Sequence, residues 1–381
     1  MEDVPALIAE ETSAALSRCE RSPGGAALAG LGAVHARWWR FGEAAAAYGS
    51  AVAWLRGSAR GAAGLGWGRA LTEACRPFEA LAVYRLFPGV VGVEVGTAWA
   101  LLRAHRPHEA IQAVARVGTS EALTALGSAL AAVGRFDDAV AAHRAAVGSV
   151  AHVAFGESLL RMQRYAAAEQ EFRTAARIAE VECDFHTAAS AFSGVARVLA
   201  DIGDLPAALD HHNRAISHFH VLGDRRAEAR ARHALGLSLS ATDPARAVDA
   251  HRTAITALLD LADHTTAAVA SLSLAHTLAA RQELPEARAA AVRSSGLYAE
   301  SGDRDGEARA HAYVARLAET AGDLGAAESA LRTALELWRE LGDPDSEAAG
   351  WRALARVVSR AGRVTEAAEA DRIAARVVDE R

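Results

Sequence analysis

"LGSALAAVGRFDDAVAAHRAA", residues 126–146, holds two apolar phrases on either side of a glycine. In each phrase the apolar residues fall three and four apart, the spacing that places them on one face of a helix. Gly134 ends the first helix. Asp137 stands in the first turn of the second, where its carboxylate meets the positive helix end. Gly127 and Ala139 are small enough to let the two backbones approach closely. The phrase therefore predicts a tight helix hairpin, and a larger side chain at either place should cost about 1–3 kcal/mol through overpacking.

The phrase recurs along the chain, each time with an alanine at the start of the second helix: Ala44, Ala80, Ala110, Ala139, Ala168, Ala208, Ala247, Ala287, Ala327 and Ala367. The steps between these anchors are 36, 30, 29 and 29 residues, then 40, 39, 40, 40 and 40. A second refrain marks the longer units. "LGDRRAEARARHALG" (222–236) returns as "ESGDRDGEARAHAYVA" (300–315) and "LGDPDSEAAGWRALA" (341–355), because each time one unit's second helix closes and an acidic residue begins the link to the next. A hairpin cannot bury its apolar stripe alone, so stacked neighbours share one continuous core. Composition agrees with an all-α chain: hydrophobic residues make up 51% but aromatics only 6%, and alanine, the best helix former, supplies much of the difference.

These phrases resemble the tetratricopeptide repeat over about residues 25–380, in ten units. The resemblance is carried by Leu126-Gly127, Leu235-Gly236 and Phe155-Gly156, by Trp351, by Tyr48, Tyr84 and Phe172 in second helices, and by the ten alanines. The second half is similar to the 40-residue variety found in signalling adaptors and in the sensors of actinobacterial regulators. The fold this implies is an α-solenoid, a right-handed superhelix whose first helices line a concave groove. Residues 1–24 are read as a capping helix, 25–180 as short-period repeats, and 181–381 as 40-residue repeats with a C-terminal cap. Two departures stand out: units of 29–30 residues are shorter than the family's usual 34, and the seventh unit loses a residue around "SATDPARA".

Net charge is −6, which gives no global basic field to draw nucleic acid or an anionic membrane. Three well-separated cysteines, Cys19, Cys75 and Cys183, suit reduced thiols, and no apolar run is long enough for a membrane span. A cytoplasmic protein is expected. All 41 cations are arginine, so a Walker lysine and a Schiff-base lysine are both excluded. "GLGAVH" (30–35) lacks the third glycine of a dinucleotide loop, "HEAIQ" (108–112) the second histidine of a zinc protease, and "GSARG" (57–61) the spacing of a nucleophile elbow. The acidic phrases "DPDSE" and "DRDGE" read as helix starts.

Cys183, Asp184, His186, His211, His212, His218 and His220 crowd into one unit. Cys183 and His186 are three apart, a spacing that lets both face one metal on a helix. Against that, His143, His212 and His251 fill the same second-helix slot in three units, where the repeat uses an aromatic, so packing is the reading and a metal or a pH switch the alternatives. The groove remains. Mapping the family's first-helix positions gives Glu157, Arg161, Arg197, Arg230, His233, His276, Arg309, Arg316, Arg352, Arg356 and Arg360. Guanidinium grips carboxylate in a bidentate fork, so these arginines are a candidate site for an acidic or C-terminal carboxylate ligand unless acids such as Asp201, Glu307 and Glu319 already hold them. The expectation is a non-enzymatic scaffold that binds a peptide or partner protein and needs no cofactor or metal. The alternatives are a ligand-responsive regulator acting through a separate effector chain and, third, a metal-dependent enzyme built on the histidine-rich unit.

Overall fold

The computed structural model describes residues 4–21 and 24–379. Among these residues the chain is built from twenty-one helices with no strand. Helix α1 (Val4–Arg21) is followed by α2 (Gly25–Arg37) and α3 (Phe41–Trp54), α4 (Gly57–Glu73) and α5 (Pro77–Arg85), α6 (Val93–Arg103) and α7 (Pro107–Val114), α8 (Ser120–Ala132) and α9 (Phe136–Ala145), and α10 (Ser149–Arg161) and α11 (Tyr165–Val181). The longer units follow: α12 (Phe185–Asp201) and α13 (Leu205–Leu222), α14 (Arg225–Leu239) and α15 (Pro244–Asp260), α16 (His264–Ala280) and α17 (Leu284–Ser301), α18 (Arg304–Thr320) and α19 (Leu324–Leu341), and α20 (Pro344–Arg360) and α21 (Val364–Asp379). The period follows from helix length. Second helices α5, α7 and α9 have 9, 8 and 10 residues, whereas α15, α17 and α19 have 17, 18 and 18.

Two compact units divide the chain, one up to Ala231 and one from Arg232 on. The division falls within α14, so the change of period near residue 181 lies inside the first unit. In each unit consecutive helices pack in order along the sequence.

The anchor alanines are the tightest points of the core. Nine are fully buried, and Ala367 is nearly so. In six of the ten hairpins a ring stands four residues after the anchor, in the space the small residues leave. Phe172 is wedged between α10 and α12: a Cβ added to Gly156 would come within 2.8 Å of its ring, and one added to Gly194 within 2.4 Å. Tyr84 is held in the same way between Gly68 and Gly96, and the His143 ring lies over Gly127. His143, His212 and His251 are all buried in this slot. Desolvation lowers the pKa of His143 and of His212 to about 4, so both imidazoles are neutral core rings at pH 7.

Both kinds of corner are built from backbone hydrogen bonds. Inside a hairpin, five residues before the anchor, the chain turns left-handed, at Gly134, Gly203, Gly322 and Gly362 but also at Trp39, Cys75, His105, Gln163 and Gln282. The following N–H then closes a six-residue loop, as in Arg135 to the Leu130 carbonyl at 2.9 Å and Asp323 to the Ala318 carbonyl at 2.9 Å. The seventh unit, one residue short, does without the left-handed residue: Asp243 N–H reaches Leu239 at 2.8 Å, a single helical step back. Between hairpins the "LGD" refrain becomes legible. Gly223, Gly302 and Gly342 are left-handed ends of α13, α17 and α19, and the aspartate that follows caps the next helix. Asp303 Oδ1 accepts from Gly306 N–H at 2.9 Å, Asp343 Oδ1 from Ser346 N–H at 3.2 Å, and Asp224 Oδ1 from Ala227 N–H at 3.0 Å.

Candidate functional site

Seven of the predicted groove residues share one register. Glu157, Arg197, His276, Arg316 and Arg356 stand eleven residues before the anchor alanine of their hairpin, and Arg161 and Arg360 stand seven before it. These positions lie on the first helices.

In the second unit the register runs over α16, α18 and α20. The His276 ring lies 3.9 Å from that of Tyr313, and the Arg316 guanidinium lies over the Tyr313 ring at 4.5 Å. Partial burial and the nearby Arg316 charge lower the pKa of His276, which keeps it neutral. One helix further on, Arg356 and Arg360 both reach Glu319, at 3.1 and 3.0 Å. The hydrogen bond from Arg356, followed by that from Arg360, holds the Glu319 carboxyl below the usual carboxylate range. Arg309 is tied within its own helix to Asp305 at 3.1 Å. Arg316 and Arg352 are exposed and, among the described residues, have no carboxylate partner. His233 departs from the expectation: it is buried, and its Nδ1 lies 3.1 Å from Nδ1 of His251, so it belongs to the core and not to an open face.

In the first unit Glu157 and Arg197 neutralise each other at 2.6 Å. Arg161 is exposed and, among the described residues, has no carboxylate partner. Glu157 and Arg161 line a hollow of about 550 Å³ together with Trp99, Arg103 and His105. Arg230 donates through Nη2 to Sγ of Cys75 at 3.1 Å, and Arg103 approaches the same sulfur at 3.9 Å. A larger hollow of about 650 Å³ adjoins, sharing Trp99 and Arg103, with Arg69, Glu73, Tyr84 and Glu121 in its walls.

These last residues were missed in the sequence, although a signal for them existed. Arg69 and Trp99 stand eleven residues before Ala80 and Ala110, and Glu73 and Arg103 stand seven before them. The register of Glu157 and Arg161, carried back along the chain, finds them.

The histidine-rich unit does not gather its side chains. His186 Nε2 lies 2.9 Å from Asp224 Oδ2 and its ring stacks on Trp39 at 5.2 Å, whereas Cys183 is exposed. His211 and His218 flank Phe192. Among the described residues no group of three His, Cys, Asp or Glu is placed to hold a metal. No described helix is long and apolar enough to cross a membrane.

A tetratricopeptide repeat family model matches residues 187–260. That stretch carries the tetratricopeptide repeat signature. Among solved structures the chain is similar to a signal transduction ATPase with numerous domains that carries a tetratricopeptide repeat sensor, from Pyrococcus horikoshii. The identity is 14% and the TM-score 0.58, over 88% of this chain and 54% of that one. It is also similar to the human IFIT1 dimer with m7Gppp-AAAA, at 14% identity and TM-score 0.51 over 99% and 95% of the two chains. BtubC from P. vanneervenii aligns at 16% identity and TM-score 0.51, over 57% of this chain and 91% of that one. At such identities the likeness is one of fold. No curated protein matches the chain.

Proposed function

We propose that this protein is a non-enzymatic tetratricopeptide repeat scaffold that binds a peptide segment or partner protein on the open side of its first helices, chiefly in the 40-residue-period half, and that the partner presents a carboxylate. The observation that carries the proposal is the posture of Arg316. Its guanidinium lies over the Tyr313 ring at 4.5 Å, exposed and without an acidic partner among the described residues. A cation held on an aromatic face has surrendered most of its rotamer freedom before any ligand arrives, so less ordering entropy is lost on binding. Arg352 adds a second exposed cation on the following first helix. Arg356 and Arg360 contribute less, because Glu319 occupies both.

The test is a panel of fluorescent acidic and C-terminal peptides read by anisotropy against the intact chain. Arg316→Glu combined with Arg352→Glu should weaken the best binder by at least about tenfold, the scale of one lost charge-assisted hydrogen bond. Arg252→Glu, exposed on a second helix, should leave it unchanged. Equal binding by the Arg316/Arg352 variant would refute the proposal.

A further inference from the structure

The larger hollow of the first unit has an unusual balance of polar groups. Its charged walls are internally neutral: Arg69 pairs with Glu121 at 3.2 Å, and Arg103 with Glu73 at 3.2 Å. Its hydroxyls are engaged with the backbone. Ser120 Oγ donates to the Val147 carbonyl and accepts its N–H, both at 2.8 Å, Thr124 donates to the Ser120 carbonyl at 2.8 Å, and Thr72 to that of Gly68 at 2.9 Å. Tyr84 is the exception. It is 2% exposed, it lines the hollow, and its hydroxyl has no hydrogen-bond partner. Thr72 is near enough to draw its pKa down a little, but the Thr72 hydroxyl donates to the Gly68 carbonyl. Burial pushes the phenol up to about 12, so it keeps its proton and can donate. The ring has little room to swing, because Gly68 and Gly96 both lie hard against it. An orphaned buried hydroxyl costs free energy unless a ligand completes it. The rest of the surface is apolar: the face of Trp99, with Ala151 and the outward-facing Val147 and Val150.

From this geometry we infer that the hollow is a binding site for an uncharged group with an aromatic or branched aliphatic body and one hydrogen-bonding end, the body against Trp99 and Val150 and the polar end on the Tyr84 hydroxyl. A charged ligand gains little there, since it must first break an existing ion pair on one wall or the other. The volume of about 650 Å³ lies within the usual range for small-ligand pockets and admits one large side chain with its flanking amides. The site stands on residues other than those of the arginine face, and in the other unit, so either can fail without the other.

The experiment uses full-length protein carrying 5-fluorotryptophan, with the Trp99 fluorine signal assigned by its loss in Trp99→Phe. Three probes of one body are titrated: neutral N-acetyl-phenylalaninamide, anionic N-acetyl-phenylalanine and cationic phenylalaninamide. The neutral probe should move the Trp99 signal saturably, and the two charged relatives should bind at least about tenfold more weakly. Tyr84→Phe, which removes the orphan without opening a cavity, should weaken the neutral probe about tenfold, and Val150→Glu at the wall should abolish it; circular dichroism confirms that both fold. A Trp99 signal unmoved by the neutral probe, charged probes that bind equally, or full affinity in folded Tyr84→Phe would each overturn the inference. A neutral capped heptapeptide with phenylalanine at its centre separates the two sources of such a group. Tighter binding than the single capped residue assigns a peptide, and equal or weaker binding assigns a free small molecule.

Discussion

A single added methyl is the sharpest probe of these hairpins, because the rings between them are backed on both sides. Gly194→Ala would put a Cβ 2.4 Å from Phe172, whose other side is closed by Gly156. It should cost about 1–3 kcal/mol in denaturant unfolding. Gly30→Ala is the contrast: nothing lies within 4 Å of a Cβ there, and the residue sits inside α2, so the change should stabilise by about 0.5–1 kcal/mol. The histidines that take the ring's place add a dependence on pH. His143 and His212 titrate near 4 when folded and near 6.5 when unfolded, so between those values the unfolded chain binds more protons. Their stabilisation is complete above pH 6.5 and is lost as the pH falls towards 4, on the order of 3 kcal/mol for each ring. Unfolding free energies measured across that window should show the slope. His143→Phe, the residue type used at position 172, should reduce it by that ring's share and leave the share of His212.

At the scale of the element, the aspartate at each joint decides where the next helix begins. Asp343→Ala should lose about 0.5–2 kcal/mol, and Asp343→Asn should keep most of it, in urea melts. This level was the most legible in the sequence, and the reason is physical. A hairpin whose backbones touch admits only alanine or glycine at the contact, so Ala139 and Gly127 repeat with little freedom. The corner glycine and its capping aspartate repeat for the same reason. The open side imposes no such demand. Its residues contact solvent, and whether Arg356 is available or already held by Glu319 depends on a helix 37 residues away in the chain. The predicted row therefore mixed open cations with paired ones and included His233, which the core had claimed. It also stopped short of Arg69 and Trp99, because the shorter spacing of the early units hid a register that in fact continues.

At the scale of the whole molecule, helices pack chiefly on those next to them in the sequence, so damage travels mostly over short distances. Ala327→Leu should speed hydrogen exchange in α18 to α21 and leave the hairpins of α2 to α9 as protected as before. Within the second unit one acid governs two cations, so Glu319→Gln should release Arg356 and Arg360 together and strengthen binding of an acidic peptide several-fold at low salt, an advantage that fades as salt rises. Gln163 and Gln282 stand at corners where other hairpins use glycine, each bearing a side chain on left-handed backbone at about 1 kcal/mol or more. Heat tolerance in this chain can thus be raised at the bends, by glycine exchanges that leave the charge ladder untouched, so lineages facing warmer habitats have room to adapt without renegotiating whom the protein meets.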